Sequence, residues 1–325
     1  MGRALGFRLA AFRIAAFGIA AFGALGALGA LGALWGCNAP QPMPPMAPPP
    51  VVVPVLPETA ASAGLRAHYA QVQAKMLATG LWRTQMAPSD APFTDRNLTD
   101  NFLKIALYDE YSGGEVLSHS NEAPIALRRW DQPVRIRLIF GPAVPPAQVA
   151  MDTERVASYL ARLTQVTGHQ VGLVNIAPNF WVHIATIDER RAMAPTLQAE
   201  LTEITPNQID SITNMAPDTY CQVVTQFDGE TSIYAFAVTV IPSELPNLMR
   251  LACINEELAQ SLGLPNDSNA ARPSIFNDDE EFALLTRQDE LMLRILYDPA
   301  LHPGMTAAQA RPIVKVLASR LMGGS

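Results

Sequence analysis

Lysine is nearly missing from this chain: it occurs three times in 325 residues, at positions 75, 104 and 315. The five histidines, at 68, 119, 169, 183 and 302, include no pair at i,i+3 or i,i+4, so no helix face carries two imidazoles. There is no G-x-x-x-x-G-K-[ST] phosphate loop, and Ser118, Ser120 and Ser261 lie outside any G-x-S-x-G frame, which leaves nucleotide hydrolysis and nucleophile-elbow chemistry without support. Charged residues make up only 16% and aromatics 7%, against 49% hydrophobic. The formal charge is −7 and falls to −10 without the first 36 residues, which hold three arginines and no acid. Such a chain lacks the basic footprint that nucleic acid demands, and that partner is excluded.

The apolar excess is concentrated at the N-terminus. Arg3, Arg8 and Arg13 precede an uncharged run from Ile14 to Trp35, built largely of Ala-Ala-Phe and Gly-Ala-Leu repeats. Positive charge, an apolar helix and a small-residue junction form the pattern of an export signal. The junction Leu34-Trp35-Gly36-Cys37 resembles a bacterial lipobox, which implies cleavage before Cys37 and a diacylglycerol on its thiol. Residues 1–36 are then a signal peptide, and the membrane is the first expected partner. Asn38 stands where inner-membrane lipoproteins carry aspartate, which implies the periplasmic face of the outer membrane. The alternative is an uncleaved anchor over residues 14–35 in the inner membrane, long enough to span a bilayer. Both place everything after Cys37 outside the cytoplasm.

Between Asn38 and Pro57 stand nine prolines, a composition that favours extended polyproline conformation. Residues 37–63 therefore read as a semi-rigid stalk and residues 64–325 as one large mixed domain. Helix periodicity is expected over Arg66–Trp82, Val149–Thr167, Leu248–Leu262, Gln288–Tyr297 and Thr306–Leu321, with a further helical stretch at Arg191–Ile204. Strand signals cover Ile125–Phe140, Val171–Ile176, Phe180–Ile187, Tyr220–Phe227 and Ser232–Ile241, the last two flanking an Asp228-Gly229 turn. The order implies an α/β or α+β layer structure. With Cys37 lipidated, Cys221 and Cys253 form an even pair in an oxidising compartment; a disulfide between them would clamp the Leu248–Leu262 helix to the sheet, and two buried thiols are the alternative.

The helix Cys253-Ile254-Asn255-Glu256-Glu257-Leu258-Ala259-Gln260-Ser261-Leu262-Gly263, followed by Leu264-Pro265-Asn266, resembles the H-E-x-x-H-x-x-G-x-x-H segment of metzincin-type zinc peptidases. On that frame Glu256, Gln260 and Asn266 replace the three histidines, Glu257 keeps the general-base position and Gly263 keeps the turn. Ser274-Ile275-Phe276 looks like the turn under the zinc, and Leu285-Thr286 through Leu296-Tyr297 is similar to the last helix of matrix-type peptidases. The match spans about Ala123–Asp298, with specific residues only after Cys253. The whole mature chain also resembles a family of bacterial lipoproteins of unknown function.

What the resemblance implies is a metzincin-like mixed sheet with a long helix packed beneath it and a C-terminal helical part. One carboxylate and two neutral amides make a poor zinc set, so no metal and no cofactor is expected. The function implied is non-catalytic binding of a peptide or envelope protein. Two alternatives stand: a divergent hydrolase with Glu257 as base and a hard cation, or a structural envelope protein. The acidic run Asn277-Asp278-Asp279-Glu280-Glu281 lacks the alternation of a calcium loop and reads as a solvated loop. His183 reads equally as a core residue or a ligand.

Overall fold

The computed structural model describes residues 56–111, 119–277 and 279–324. Cys37, the expected export signal and the proline-rich stretch to Val55 lie outside them. In chain order the elements are α1 (Ala60–Ala78), α2 (Asp95–Ala106), β1 (Tyr108–Tyr111), β2 (His119–Pro124), β3 (Val134–Phe140), α3 (Pro146–Thr167), β4 (Val171–Leu173) and β5 (Phe180–Ala185). Then follow α4 (Ile187–Arg191), α5 (Ala194–Glu200), α6 (Pro206–Thr213), β6 (Gln222–Phe227), β7 (Tyr234–Pro242), α7 (Asn247–Gln260), α8 (Arg287–Leu296) and α9 (Ala307–Leu321).

The main sheet has the order β4-β3-β5-β7-β6. β3, β4, β5 and β7 run parallel, and β6 is antiparallel at one edge. The central strands read as nearly continuous apolar runs because both faces are covered. Phe180, Val182 and Ile184 of β5 and Val238, Val240 and Ile241 of β7 are all fully buried. On one face the long helix α3 inserts Val156, Tyr159, Leu160 and Leu163 into the main core, the apolar stripe expected from its 3.6-residue period. The opposite face carries a smaller cluster in which Met193, Leu197, Leu201 and Ile212, from the α4–α6 segment, cover Val224, Val238 and Val240. A mixed α/β fold is what this describes, with α8 and α9 completing its C-terminal helical part.

Several boundaries differ from the sequence expectation for identifiable reasons. The Ile125–Phe140 strand begins only at Val134, after Pro133 interrupts the ladder. Helix α1 starts at Ala60, capped by the Thr59 hydroxyl, which accepts from the Ser62 N–H. Its end comes at Ala78, before Trp82, and Leu77 is exposed. Of the Arg191–Ile204 stretch only Ala194–Glu200 (α5) is a helix of its own; Arg191 is the last residue of the short helix α4, and Ala192 and Met193 separate the two.

Candidate functional site

Helix α7 is fixed at three points. At its start Arg250 is buried, with its Nε 2.5 Å from Asp152 Oδ2 of α3, and it also donates to the Leu245 carbonyl and to Asn247 Oδ1. In its middle Cys253 is joined to Cys221, Cα atoms 5.9 Å apart, so the expected disulfide does clamp the helix to the start of β6. At its end Gly263 turns the chain at φ +125°, where a Cβ would stand 2.2 Å from the Arg128 carbonyl oxygen. Only glycine meets both demands, which gives the turn expected at Gly263 its physical reason.

Spacing of three and four residues puts Glu256, Glu257 and Gln260 on the same side of the helix as Cys253, and Glu256 is one of the charges acting on Tyr159 of α3. Glu257 is 5% exposed, whereas Glu256 and Gln260 are half-buried. Asn266 does not join them as a ligand. It is fully buried, its Nδ2 donates to the Lys104 carbonyl, and its backbone N–H donates to the Ile105 carbonyl, so it ties this loop to the end of α2. Among the described residues no three His, Cys, Asp or Glu side chains come together as a metal-binding group. The donor set at the peptidase-like positions does not fit zinc.

The two downstream segments that carry the resemblance are bonded to each other. Asp289 of α8 accepts from Ser274 Oγ (2.5 Å), the Ile275 N–H (3.1 Å), the Thr286 N–H (2.7 Å) and Thr286 Oγ1 (2.8 Å). One carboxylate thus caps α8 and shapes the Ser274-Ile275-Phe276 turn. Burial pushes its pKa up to about 6 against the pull of those hydrogen bonds. His183 is a buried sheet residue whose Nε2 lies 2.7 Å from Glu200 Oε2.

The acidic run is not the solvated loop expected. Glu281 bridges Arg83 (2.7 Å) and Arg272 (2.5 Å), and Glu280 accepts from Trp82 Nε1 (2.8 Å), so the run anchors the segment after α1; Asp278 lies outside the described residues. Opposite charges supplied by distant segments are invisible to local pattern.

A second polar group lies at the carboxyl ends of β5 and β7, where open parallel sheets commonly bind ligands. Glu244, in the turn between β7 and α7, is fully buried. Its Oε1 accepts from Ser62 Oγ (2.9 Å) and from the Ile187 N–H (2.7 Å), while its Oε2 has no hydrogen-bond partner. The neighbouring Ser243 hydroxyl is also buried and unpartnered. Arg190 of α4 is 1% exposed, and its Nε is buried without a hydrogen-bond partner. Burial lowers its pKa, opposed chiefly by the charge of Glu244, and burial pushes the adjacent Tyr69 up to about 12. Outside Glu244 opens a cavity of about 430 Å³, bounded by α1, the start of α3 and the β7–α7 turn.

Sequence reasoning misses this second group. One signal is present, an acid closely following the apolar run that ends at Ile241 and followed by Pro246. Nothing local marks Arg190, whose neighbours come from α1 and from the turn after β7.

The family described as "Protein of unknown function (DUF2927)" matches residues 95–316. The chain belongs to the DUF2927 family. The DUF2927 match runs from the first residue of α2 into α9, so it holds the whole sheet, α7 and the Asp289 cap. No curated protein and no solved structure matches the chain.

Proposed function

We propose that this chain is an exported, lipid-anchored envelope protein whose domain keeps a peptidase-like frame without zinc chemistry and binds an extended peptide. The resemblance around α7, the bond between the Ser274 turn and α8, and a donor set unsuited to zinc support the frame. The observation that carries the binding is the free edge of β6. In β7, Ala237 donates its N–H to Asn179 and Ser243 donates to Ala185, so the backbone groups of alternate residues point toward β5. Thr225 lies opposite Ala237 and Val223 opposite Thr239, and both therefore turn their N–H and C=O groups away from β7. No strand among the described residues pairs with that side. An incoming peptide strand would find unpaired donors and acceptors there.

The test uses the full chain in detergent and a panel of short fluorescent peptides, read by anisotropy. Saturable binding by some sequences is expected, weakened at least about tenfold by Thr225→Pro, which removes an outward N–H while sparing the β6–β7 ladder. Circular dichroism checks that this variant folds. Absence of peptide binding, or binding indifferent to Thr225→Pro, overturns the proposal. Cleavage of a bound peptide that disappears in Glu257→Gln would put a hydrolase in its place.

A further inference from the structure

Cations are scarce in this chain, which has 23 lysines and arginines against 30 acids, yet three arginines line one cleft of about 180 Å³ between α3 and α8. Arg162 comes from α3. Arg287 and Arg294 come from α8, seven residues and so two turns apart on one face. One acid, Glu290, stands among them and is already engaged. Its Oε1 accepts from Arg162 Nε at 2.8 Å, and its Oε2 lies 3.7 Å from Arg287 Nη1. Arg162 also donates to the Leu285 carbonyl, which holds its guanidinium in place. Arg287 and Arg294 are exposed, and Arg294 has no acidic partner among the described residues. The cleft thus sets three positive charges against one negative, a local surplus in a chain whose formal charge is −7. Like charges gathered at one cleft repel each other and raise the local concentration of an anion that relieves them.

The size of the surplus and the shape of the donors select the guest. A cation is repelled, and a monocarboxylate cancels only part of the charge. A phosphomonoester carries about −1.5 to −2 near pH 7 and presents three oxygens, which suit the planar forks of guanidinium groups. Gln165, exposed on α3, adds an amide donor at the same cleft. Val166 and Leu291 give it an apolar surface for the carbon-bearing side of the ester. We propose that this cleft binds the phosphate group of a phosphomonoester, gripped by Arg287 and Arg294, with Arg162 held beside them by Glu290. No residue of β6 lines the cleft, so the proposal stands apart from peptide binding at that edge.

Isothermal titration of the full chain in a neutral detergent tests this. The probes are glycerol 3-phosphate, dihexanoyl phosphatidate below its micelle concentration, succinate and acetate. A phosphomonoester should bind saturably, with succinate and acetate weaker by about tenfold or more. Equal affinity for the two phosphomonoesters assigns the site to a soluble ligand, and phosphatidate tighter by about tenfold assigns it to a lipid headgroup. Arg287→Gln and Arg294→Gln, both at exposed positions, should leave the thermal midpoint unchanged and weaken binding by about threefold or more each, and about tenfold or more together. Arg320→Gln, at an exposed position of α9 outside the cleft, should leave binding unchanged. No phosphomonoester binding up to about 10 mM, a range covering even weak ligands, overturns the proposal. So does equal binding of succinate, binding unchanged in the double variant, or a loss in Arg320→Gln as large as in Arg294→Gln.

Discussion

Asp289 shows how one side chain can hold two segments and sense protons. The carboxyl is fully buried and titrates near 6, above the 3.8 of a free aspartate, because burial outweighs four donated hydrogen bonds. Between those values the unfolded chain releases the proton more readily than the folded one. The contribution of Asp289 to stability is therefore complete below about pH 4 and is lost as pH rises through 6, by up to about 3 kcal/mol. Urea titrations across this range should show stability falling with pH, and Asp289→Asn should flatten that slope, whatever it does to absolute stability. An unchanged slope would mean that the carboxyl titrates normally. At this scale the sequence is informative only where a residue acts on near neighbours. Gly263 and the Thr286–Asp289 cap can be read from spacing, because a turn and a helix start are local events. Asn266 cannot, since what decides its role is a pair of carbonyls at the end of α2, far away in the chain.

Among the elements, α7 is the one on which the proposed binding edge depends. Its disulfide joins the strand that offers the edge to the helix that flanks it, across a sequence separation of 32 residues. Closing a loop of that size in the unfolded chain stabilises the fold by about 3–4 kcal/mol. The Cys221→Ala/Cys253→Ala pair should lose about that much in a urea titration, and a loss below about 1 kcal/mol would mean that α7 is held by packing and by Arg250 alone. Helices with strong periodicity, α3, α7, α8 and α9, were legible. Helix α2 carries an equally readable signal in Leu98, Phe102 and Ile105 behind a Thr94 cap that uses Asn97. Helix α6 has Pro206 at its first position and Gln208 closing the Thr205 cap. Both sit in short segments between prolines and polar residues, where loop signals compete with helix signals. The β6–β7 hairpin was legible at its Asp228-Gly229 turn. Its edge-facing register was not, because that depends on which residues of β7 bond to β5.

For the molecule as a whole, the family match begins at α2, yet α1 is part of the same packed body. Ser62 bonds to Glu244, Tyr69 is in the main core, and Gln73 accepts from the Met249 N–H at the start of α7. The helix that follows the proline-rich segment is thus wired to the turn that carries Glu244. The anchor itself is tested by mass spectrometry of the chain extracted from membranes. A mature chain beginning at a lipid-bearing Cys37 is expected, and Cys37→Ser should lose the lipid. An intact Met1 without lipid would leave the residue 14–35 anchor in its place. The strand order has a further consequence, in time rather than in space. Ile136 pairs with Phe180, and Phe180 pairs with Ala237, so the middle of the sheet cannot close until segments far apart along the chain have met. Such pairings are slow because their loop entropy is lost before any contact is gained. The chain therefore spends its vulnerable interval with β3, β5 and β7 unpaired, and its refolding rate should report the meeting of those three strands.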